Sequence, residues 1–313
     1  MIASRLTDLA ATVATIAIVT TGQATGANVS KTDRSTPVDI AALKRDAAAG
    51  DASAQFDLAI VYLAGRLGDD KKAEALPLLE ASARQKDNRS LFVLGTLYEI
   101  GSLVPRDLAR AARYFRGAAE IGDPKAQNAL GQLLQRGAGV PRDPAAAAAN
   151  FEAAHKQGLP AATANLGILY IAGDGVPKDT AKGAALIRKA AFAGLPGAQH
   201  DFAWLLQTGT GVAKDEKEAV KWYARAAEGG NASSQINLAL MQFNGTGTNS
   251  DPVGGMKWAM IAASAAEPET KAKAKQVVQQ YAAVLTPNQV ANAGQAAQLW
   301  MIRHQIRPQP IAN

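Results

Sequence analysis

The chain contains no cysteine among its 313 residues, which removes disulfide bonds, thiolate catalysis and cysteine-based metal sites together. Histidine is scarce as well, with only His155, His200 and His304, which lie far apart in sequence. So few imidazoles argue against a zinc site or a histidine-based catalytic triad. Aromatic residues make up only 5% of this alanine-rich chain, and that composition favours helices over a β-sandwich.

Clustered charge of one sign is missing too. The formal net charge is +6 and the isoelectric point is near 9.4, but lysine and arginine are scattered along the chain. The segment 84–142 is richest in arginine, and we interpret it as a solvated basic face rather than a nucleic-acid footprint. No nucleic-acid partner is therefore expected, although an acidic protein or an anionic envelope polymer stays an alternative.

A short apolar run lies at residues 9–19, LAATVATIAIV. A positively charged segment, residues 1–5, precedes it, and small residues follow that allow cleavage after Ala24 or Ala27. The run has about the length of a signal-peptide core and is too short to span a membrane comfortably. We predict a signal peptide at residues 1–27 and a periplasmic or secreted protein, with no stable membrane insertion after cleavage.

A second interpretation of this segment stays open. Asp8 stands at the boundary of the apolar run, where an acidic residue is unusual in a signal peptide, and the lack of cysteine also suits the cytoplasm. The alternative is a disordered or helical tail on a cytoplasmic protein. Residues 28–42 are predicted to be a flexible lead-in to the folded part.

A period of 36 residues organises the rest of the chain. One glycine column recurs without a break, at Gly65, Gly101, Gly137, Gly173, Gly209 and Gly245. An aspartate column follows it, at Asp107, Asp143, Asp179, Asp215 and Asp251. A column of small residues lies ahead of it, at Ala59, Gly95, Gly131, Gly167, Ala203 and Ala239. No single unit can bury its own apolar face, so this spacing predicts stacked units with a shared core.

Each unit divides into two helices. The first, such as residues 160–172, has proline at its first position and ends at the glycine column, where a left-handed conformation suits glycine. The second starts behind the aspartate column, whose carboxylate accepts free N–H groups of the first turn. The predicted fold is an all-α, right-handed α-solenoid of about six 36-residue helix–turn–helix repeats at residues 43–265, followed by C-terminal capping helices.

The turn between the two helices has the composition of a ligand-binding loop. Residues 173–179 read GDGVPKD, with the glycines and acidic residues of a Ca²⁺ or phosphate site. The same turn reads GAGVPRD at 137–143 and GTGVAKD at 209–215, without the second-position carboxylate. A Ca²⁺ site could not discard that ligand so freely, so we interpret the segment as a structural turn. Neither a metal nor any other cofactor is expected.

Residues 266–304 are predicted to form the capping helices. Thr286, Pro287 and Gln289 are typical of a helix start, with Thr286 as the N-cap. The final helix is expected to bury some combination of four apolar residues, Val290, Leu299, Trp300 and Ile302. Residues 305–313 are predicted to be a disordered tail.

The units resemble a known family. Residues 126–158 and 198–230 resemble Sel1-like repeats, which are related to tetratricopeptide repeats, and the resemblance covers about residues 47–265. Residues 65–72 and 245–251 depart most from the family pattern, as end units do in repeat arrays. The resemblance implies a scaffold that binds other proteins, often in signalling or at the bacterial envelope. With a signal peptide, it extends to exported regulators of the ExoR type, which restrain a membrane sensor kinase, including in exopolysaccharide control.

A concave groove along the first helices is the expected binding site, by analogy with tetratricopeptide arrays. If the small-residue column packs on the second helix, the columns that begin at 53, 56, 60 and 63 point into the groove. The candidate partner-binding residues in these columns are Arg89, Phe92, Lys125, Asn128, Gln132, His200, Trp204, Gln207, Leu240 and Phe243. Trp204 and Phe243 are aromatic hot-spot candidates, and the alternative is that both pack against the C-terminal helices.

Enzymatic chemistry is not expected. The aspartates recur once per repeat and each has a capping role, so no catalytic groups converge and no catalytic residue is assigned. The expected function is a scaffold or adaptor that holds a protein or peptide in envelope signalling or regulation. A cytosolic adaptor or assembly factor is the alternative, and a hydrolase acting on envelope material lacks a supporting constellation.

Overall fold

The computed structural model describes residues 39–264, 267–304 and 306. The predicted signal peptide at residues 1–27, most of the predicted lead-in at 28–42 and most of the predicted tail at 305–313 lie outside the described residues, and the helix Ile40–Ala48 begins within the end of the lead-in. Within the described part, the chain forms fifteen α-helices, one short 3-10 helix and no β-strand. The prediction of an all-α repeat fold with additional C-terminal helices is confirmed.

The helices divide into two compact units, one that ends at Gln157 and one that begins at Gly158. The helices of the first unit are Ile40–Ala48, Ala52–Leu63, the 3-10 helix Asp69–Glu74, Ala75–Arg84, Asn88–Ile100, Leu108–Glu120, Pro124–Arg136 and Pro144–Lys156. Those of the second unit are Pro160–Ala172, Thr180–Phe192, Pro196–Thr208, Glu216–Glu228, Ala232–Asn244, Pro252–Ala262, Pro268–Ala282 and Pro287–Arg303. We number the helix pairs repeat one to repeat six, starting at Ala52, so that each unit contains three repeats.

The repeated aspartates and glycines set the helix ends, as predicted. Five aspartates are N-caps of second helices, each accepting the backbone N–H three residues ahead at 2.9 Å, namely Asp107, Asp143, Asp179, Asp215 and Asp251. Five first helices end at a left-handed glycine with φ between 67° and 78°, namely Gly101, Gly137, Gly173, Gly209 and Gly245. Without these two columns, the turn between the helices would leave its backbone groups unpaired.

The small-residue column packs against the second helix of its own repeat. A Cβ added to Gly95 would lie 2.6 Å from the ring of Phe115, and one added to Gly131 would lie 2.7 Å from the ring of Phe151. Alanine occupies the same column in repeats one, five and six and is fully buried in each. The prediction of the columns that face away from the second helix depends on this arrangement.

Two helices at the C-terminus pack on repeat six. Tyr281 lies parallel to Phe243 with the ring centroids 3.6 Å apart. The indole Nε1 of Trp300 donates to Glu228 Oε2 at 2.7 Å, and its ring meets Trp258 edge-on at 5.7 Å. These helices therefore cover the apolar side of repeat six, as capping helices are expected to do.

The start of the last helix is as predicted, but its buried side is partly different. Thr286 and Gln289 form the predicted capping box, and Trp300 is buried. Leu299 and Ile302, however, are more than half exposed. The buried stripe follows Ala293, Ala297, Trp300 and Met301 at three- and four-residue spacing, which turns Leu299 and Ile302 toward solvent.

Two residues with side chains adopt left-handed backbone angles where other repeats have glycine. Lys86 has φ 63° at a position that is glycine, also at positive φ, at residues 50, 122, 158, 194 and 230. Leu103 has φ 65° at the position of Gly139, where a Cβ would lie 2.3 Å from the backbone of Leu108. Repeat one has the 3-10 helix in place of that helix start, so Leu103 avoids the backbone contact that excludes side chains from the later repeats.

The substitution Lys86→Gly is expected to raise the free energy of unfolding by about 1 kcal/mol, because a residue with a Cβ is strained in the left-handed region. Lys86 is exposed, so little other interaction is lost. Urea unfolding followed by circular dichroism measures the change. Gly122→Lys is the matched reverse substitution and should destabilise the protein, because the backbone angle of Gly122 is unfavourable for a residue with a Cβ. Nothing lies within 4 Å of the added Cβ, so the backbone angle is the only cause of the loss. Equal stability of Lys86→Gly and the wild type would contradict this prediction.

Candidate functional site

Trp204 lies on the first helix of repeat five with 46% of its surface exposed. The other three tryptophans, at positions 222, 258 and 300, are less than a tenth exposed. Ile168, at the same position in repeat four, is also exposed, whereas Ile60 in repeat one is buried. The second unit therefore presents an indole and an isoleucine on the side of the first helices that faces away from the second helices. Exposed tryptophan is enriched among residues that dominate binding energy.

Polar side chains next to Trp204 are held in place by neighbouring helices. His200 Nδ1 lies 2.8 Å from the hydroxyl of Ser234, the third residue of the first helix of repeat six. The hydroxyl of Tyr223 donates to Gln207 Oε1 at 2.9 Å. The rings of His200 and Tyr223 are 5.5 Å apart. These contacts fix the first helix of repeat five against its own second helix and against repeat six.

Asp201 is the ionisable residue that stands out in this region. Burial raises the pKa of its carboxyl to about 6. Burial also lowers the pKa of His200, which favours its neutral form, and raises the pKa of Tyr223 to about 12, so that Tyr223 is neutral as well. Among the described residues, no basic side chain is ion-paired with Asp201. A carboxylate at this position is therefore poorly compensated by the protein itself.

Asp57 occupies the same repeat position in repeat one and has a different environment. Burial raises its pKa, but the guanidinium of Arg89 opposes this rise. Arg89 Nη1 lies 3.7 Å from Asp57 Oδ1, and Nη2 lies 2.8 Å from Asp87 Oδ2. The same guanidinium lies 4.3 Å from the ring centroid of Phe56. Asp57 thus has the internal cation that Asp201 does not have.

The other predicted binding residues do not form one cluster. Arg89 is committed to these internal contacts, and Phe92 is partly buried against Phe115 at 5.8 Å. Lys125 is exposed, whereas Asn128 and Gln132 are partly buried. All five lie in the first unit. They stay predictions as binding residues, and the structure does not assemble them with Trp204.

In repeat six, the predicted residues Leu240 and Phe243 pack inside the second unit. Leu240 is partly buried against the core of this unit, and Phe243 stacks on Tyr281 of a C-terminal helix. Phe243 therefore packs against a C-terminal helix, which was the alternative to partner binding, whereas Trp204 is exposed. Sequence reasoning grouped His200, Trp204 and Gln207 on one helix and missed Asp201. The signal was present, because only Asp57 and Asp201 are acidic in a column that is otherwise Val, Ala or Asn.

The contact between His200 and Ser234 does not have the accessibility of a hydrolytic pair. A serine and a histidine in contact are two parts of a hydrolytic triad, but Ser234 is fully buried and its hydroxyl cannot reach a substrate. Within residues 39–264, 267–304 and 306, no three His, Asp or Glu side chains are grouped to hold a metal ion. In the same residues, no helix has the length and apolar character of a membrane span.

A concave region lies at the turns of the first unit. It is a cleft of about 630 Å³ lined in part by Tyr98, Arg106, Asp107 and Arg110. Arg110 donates to the hydroxyl of Tyr98 at 3.2 Å and lies 3.3 Å from Asp107, while Arg106 donates to a backbone carbonyl. Both guanidinium groups are thus held by the protein, and the cleft offers less free binding capacity than the region around Trp204.

The repeats match a known family along most of their length. The Sel1 repeat model matches six segments, residues 52–87, 89–123, 124–159, 160–194, 196–231 and 232–266. These segments coincide with the six helix pairs, so the prediction of six Sel1-like repeats is confirmed. No curated protein matches the chain.

Among the solved structures that are similar to the chain are the following two. One is c5321, a protective antigen present in uropathogenic Escherichia coli strains, with 27% identity and a TM-score of 0.68 over 84% of this chain and 56% of its own. The chain thus spans little more than half the length of c5321. The other is a Sel1 repeat protein from Oxalobacter formigenes, with 28% identity and a TM-score of 0.62 over 69% of this chain and 88% of its own.

Asp201→Asn is expected to stabilise the protein at pH 7.5 by roughly 2 kcal/mol, and not at pH 4. The folded-state pKa of Asp201 lies above the unfolded value of 3.8, so the native protein favours the protonated form. The stability that this preference contributes is present below about pH 4 and is lost as pH rises toward 6. Asparagine cannot ionise, and it already occupies this column at positions 165 and 237. Thermal unfolding of both proteins across this pH range measures the difference.

Asp57→Asn is the matched control for this measurement. It removes a carboxylate that Arg89 compensates in part, so it should stabilise the protein less than Asp201→Asn does at pH 7.5. If both substitutions stabilised equally at pH 7.5, the uncompensated character of Asp201 would not be the cause.

Proposed function

The chain belongs to the Sel1 repeat family, whose members generally mediate protein–protein interactions, and on that premise we propose that it is a scaffold whose binding surface centres on Trp204. The repeat scaffold of this family is typically non-catalytic, so the partner is bound rather than converted. The observation that carries the proposal is the exposure of Trp204 beside side chains that are held rigidly. A rigid aromatic residue gives a large contact area for little loss of side-chain entropy.

The proposal also covers the cellular compartment of the protein and the signalling process in which it acts. The apolar run at residues 9–19, with small residues behind it, supports export to the envelope. An exported Sel1 repeat protein of this kind would bind the external domain of a membrane sensor protein and restrain it, including in exopolysaccharide control. The similar protein c5321 is a protective antigen, which is compatible with a protein exposed outside the cytoplasm. A cytosolic adaptor or assembly factor is the second candidate, because Asp8 is unfavourable in a signal peptide.

Trp204→Ala is expected to abolish capture of the partner while changing the melting temperature by less than about 2 °C, since an exposed side chain contributes little to folding. The measurement is affinity capture from a detergent-solubilised envelope fraction of the source cells, quantified by mass spectrometry against the wild type. Proteins retained by the wild type and lost with Trp204→Ala are the partners.

Phe192→Ala is the matched control for this experiment. Phe192 is exposed by 67%, but it lies on a second helix, so its removal should leave capture intact. Phe243→Ala should instead lower the melting temperature, because it removes a ring stacked on Tyr281. Capture that survives Trp204→Ala and fails with Phe192→Ala would place the binding surface on the second helices.

Export predicts a mature chain that begins at Thr25 or Asn28, recovered from the periplasmic fraction. N-terminal sequencing of the full-length protein expressed in its source cells measures this directly. Chain beginning at Met1 and confined to the cytoplasmic fraction would exclude the envelope role and leave the cytosolic adaptor as the function.

A further inference from the structure

Repeats one and five have an aspartate at the same position, and the surroundings of the two aspartates can be compared residue by residue. Asp57 and Asp201 are separated by four repeats, and the other repeats have valine, alanine or asparagine at this position. The next repeat supplies the neighbouring side chain at the second residue of its first helix. That residue is Arg89 beside Asp57 and Ser233 beside Asp201.

In repeat one, the structure shows which cation lies beside an acid at this position. Arg89 reaches back across the repeat boundary, donating to Ser53 Oγ at 3.1 Å and lying 3.7 Å from Asp57. Its guanidinium also lies over the ring of Phe56. The position therefore accommodates a planar cation between a carboxylate and an aromatic face.

In repeat five, the acid is retained and the internal cation is replaced. Ser233 is exposed and too short to reach Asp201, and the N-cap that precedes it is Asn231, where Asp87 stands in repeat two. Trp204 is three residues after Asp201, so the indole and the carboxylate project from the same side of the helix. His200 stands where Phe56 stands in repeat one, and Trp204 stands where Ile60 does. Repeat five thus has the acid and, one turn further along the helix, an exposed aromatic face, without an arginine from the chain.

We propose that an arginine side chain of the partner protein pairs with Asp201, as Arg89 lies beside Asp57, and packs on Trp204 one turn further along the helix. This inference rests on the proposed function and names the chemistry of the partner at its centre. Arginine fits better than lysine, because its planar guanidinium donates two hydrogen bonds to one carboxylate while its face lies on an indole. The charges agree as well, since Asp201 is an acid without an internal counter-ion.

The first arm of the test builds the arginine into the chain. Ser233→Arg copies Arg89, and its effect on the melting temperature is measured with Asp201 present and in the Asp201→Asn background. Arginine in a first helical turn is unfavourable in itself, and the Asp201→Asn background measures that cost. The effect of Ser233→Arg should be more favourable by about 2 °C or more when Asp201 is present. Equal effects in both backgrounds would overturn the proposed placement of a guanidinium at Asp201.

The second arm uses a small probe, N-acetyl-arginine methylamide, with the citrulline analogue as the neutral control of the same shape. The indole N–H signal of Trp204, assigned with Trp204→Phe, is followed by NMR during titration of the full chain. It should shift with the arginine probe, with an affinity about tenfold lower for the citrulline analogue and for Asp201→Asn, because a charge-assisted contact is lost. Ser233→Arg should also weaken the probe's binding. Equal affinities for the arginine and citrulline probes would overturn the proposal.

Partner capture separates this inference from the proposed function. If both hold, Trp204→Ala, Asp201→Asn and Ser233→Arg each reduce capture. If capture is lost with Trp204→Ala but is unchanged with Asp201→Asn and Ser233→Arg, the scaffold function stands and the arginine site is wrong. If none of the three variants reduces capture, the binding surface itself is misplaced and both proposals fail.

Discussion

The close contact between the two helices of a repeat is the constraint on which the other features depend. Gly95 and Gly131 leave space for an aromatic ring from the second helix that a Cβ would block. Alanine serves the same purpose at Ala203, which is fully buried. Once this column lies against the second helix, the rotation of the first helix about its axis is fixed, and so is the set of residues that faces away. Trp204, one residue after Ala203, is exposed for this reason and not because the core lacks room.

A departure from the repeat pattern at a close contact between repeats is tolerated where the neighbouring repeat also departs. In most repeats a second glycine lies two residues after the glycine that ends the first helix. It is required because the turn there comes close to the backbone of the previous repeat, as Gly139 does to Leu108. Leu103 is accepted because repeat one forms a 3-10 helix where a regular helix start would stand. Lys86 is a different case, since its surroundings are open at the equivalent glycines and only its own backbone angle is unfavourable. Regularity in this chain is thus enforced by contacts between repeats more than by the preferences of each residue.

The sequence was sufficient for features that depend on local or periodic chemistry. The aspartate N-caps, the left-handed glycines and the capping box at Thr286 are each decided within a few residues, and all were predicted correctly. The exposure of Leu299 and the stacking of Phe243 on Tyr281 could not be derived in this way, because they depend on the angle at which the last helices meet repeat six. The isolation of Asp201 was also missed, since whether an acid is compensated depends on a side chain from the following repeat.

Asp57 and Asp201 show how one repeat position can have an internal cation in one repeat and none in another. A partly buried carboxylate disfavours folding at neutral pH unless a cation compensates it, and Arg89 offsets part of that cost for Asp57 in the first unit. In the second unit the same acid raises the energy of the native state at neutral pH, since burial alone sets its pKa near 6. Residues that lower the stability of a protein, with no compensating interaction inside it, are characteristic of binding sites, where a group of the partner completes the interaction. The exposed indole of Trp204, three residues after Asp201, supplies the apolar contact that a single charge pair would lack. The charge of Asp201 and the flat face of the indole therefore both favour an arginine side chain.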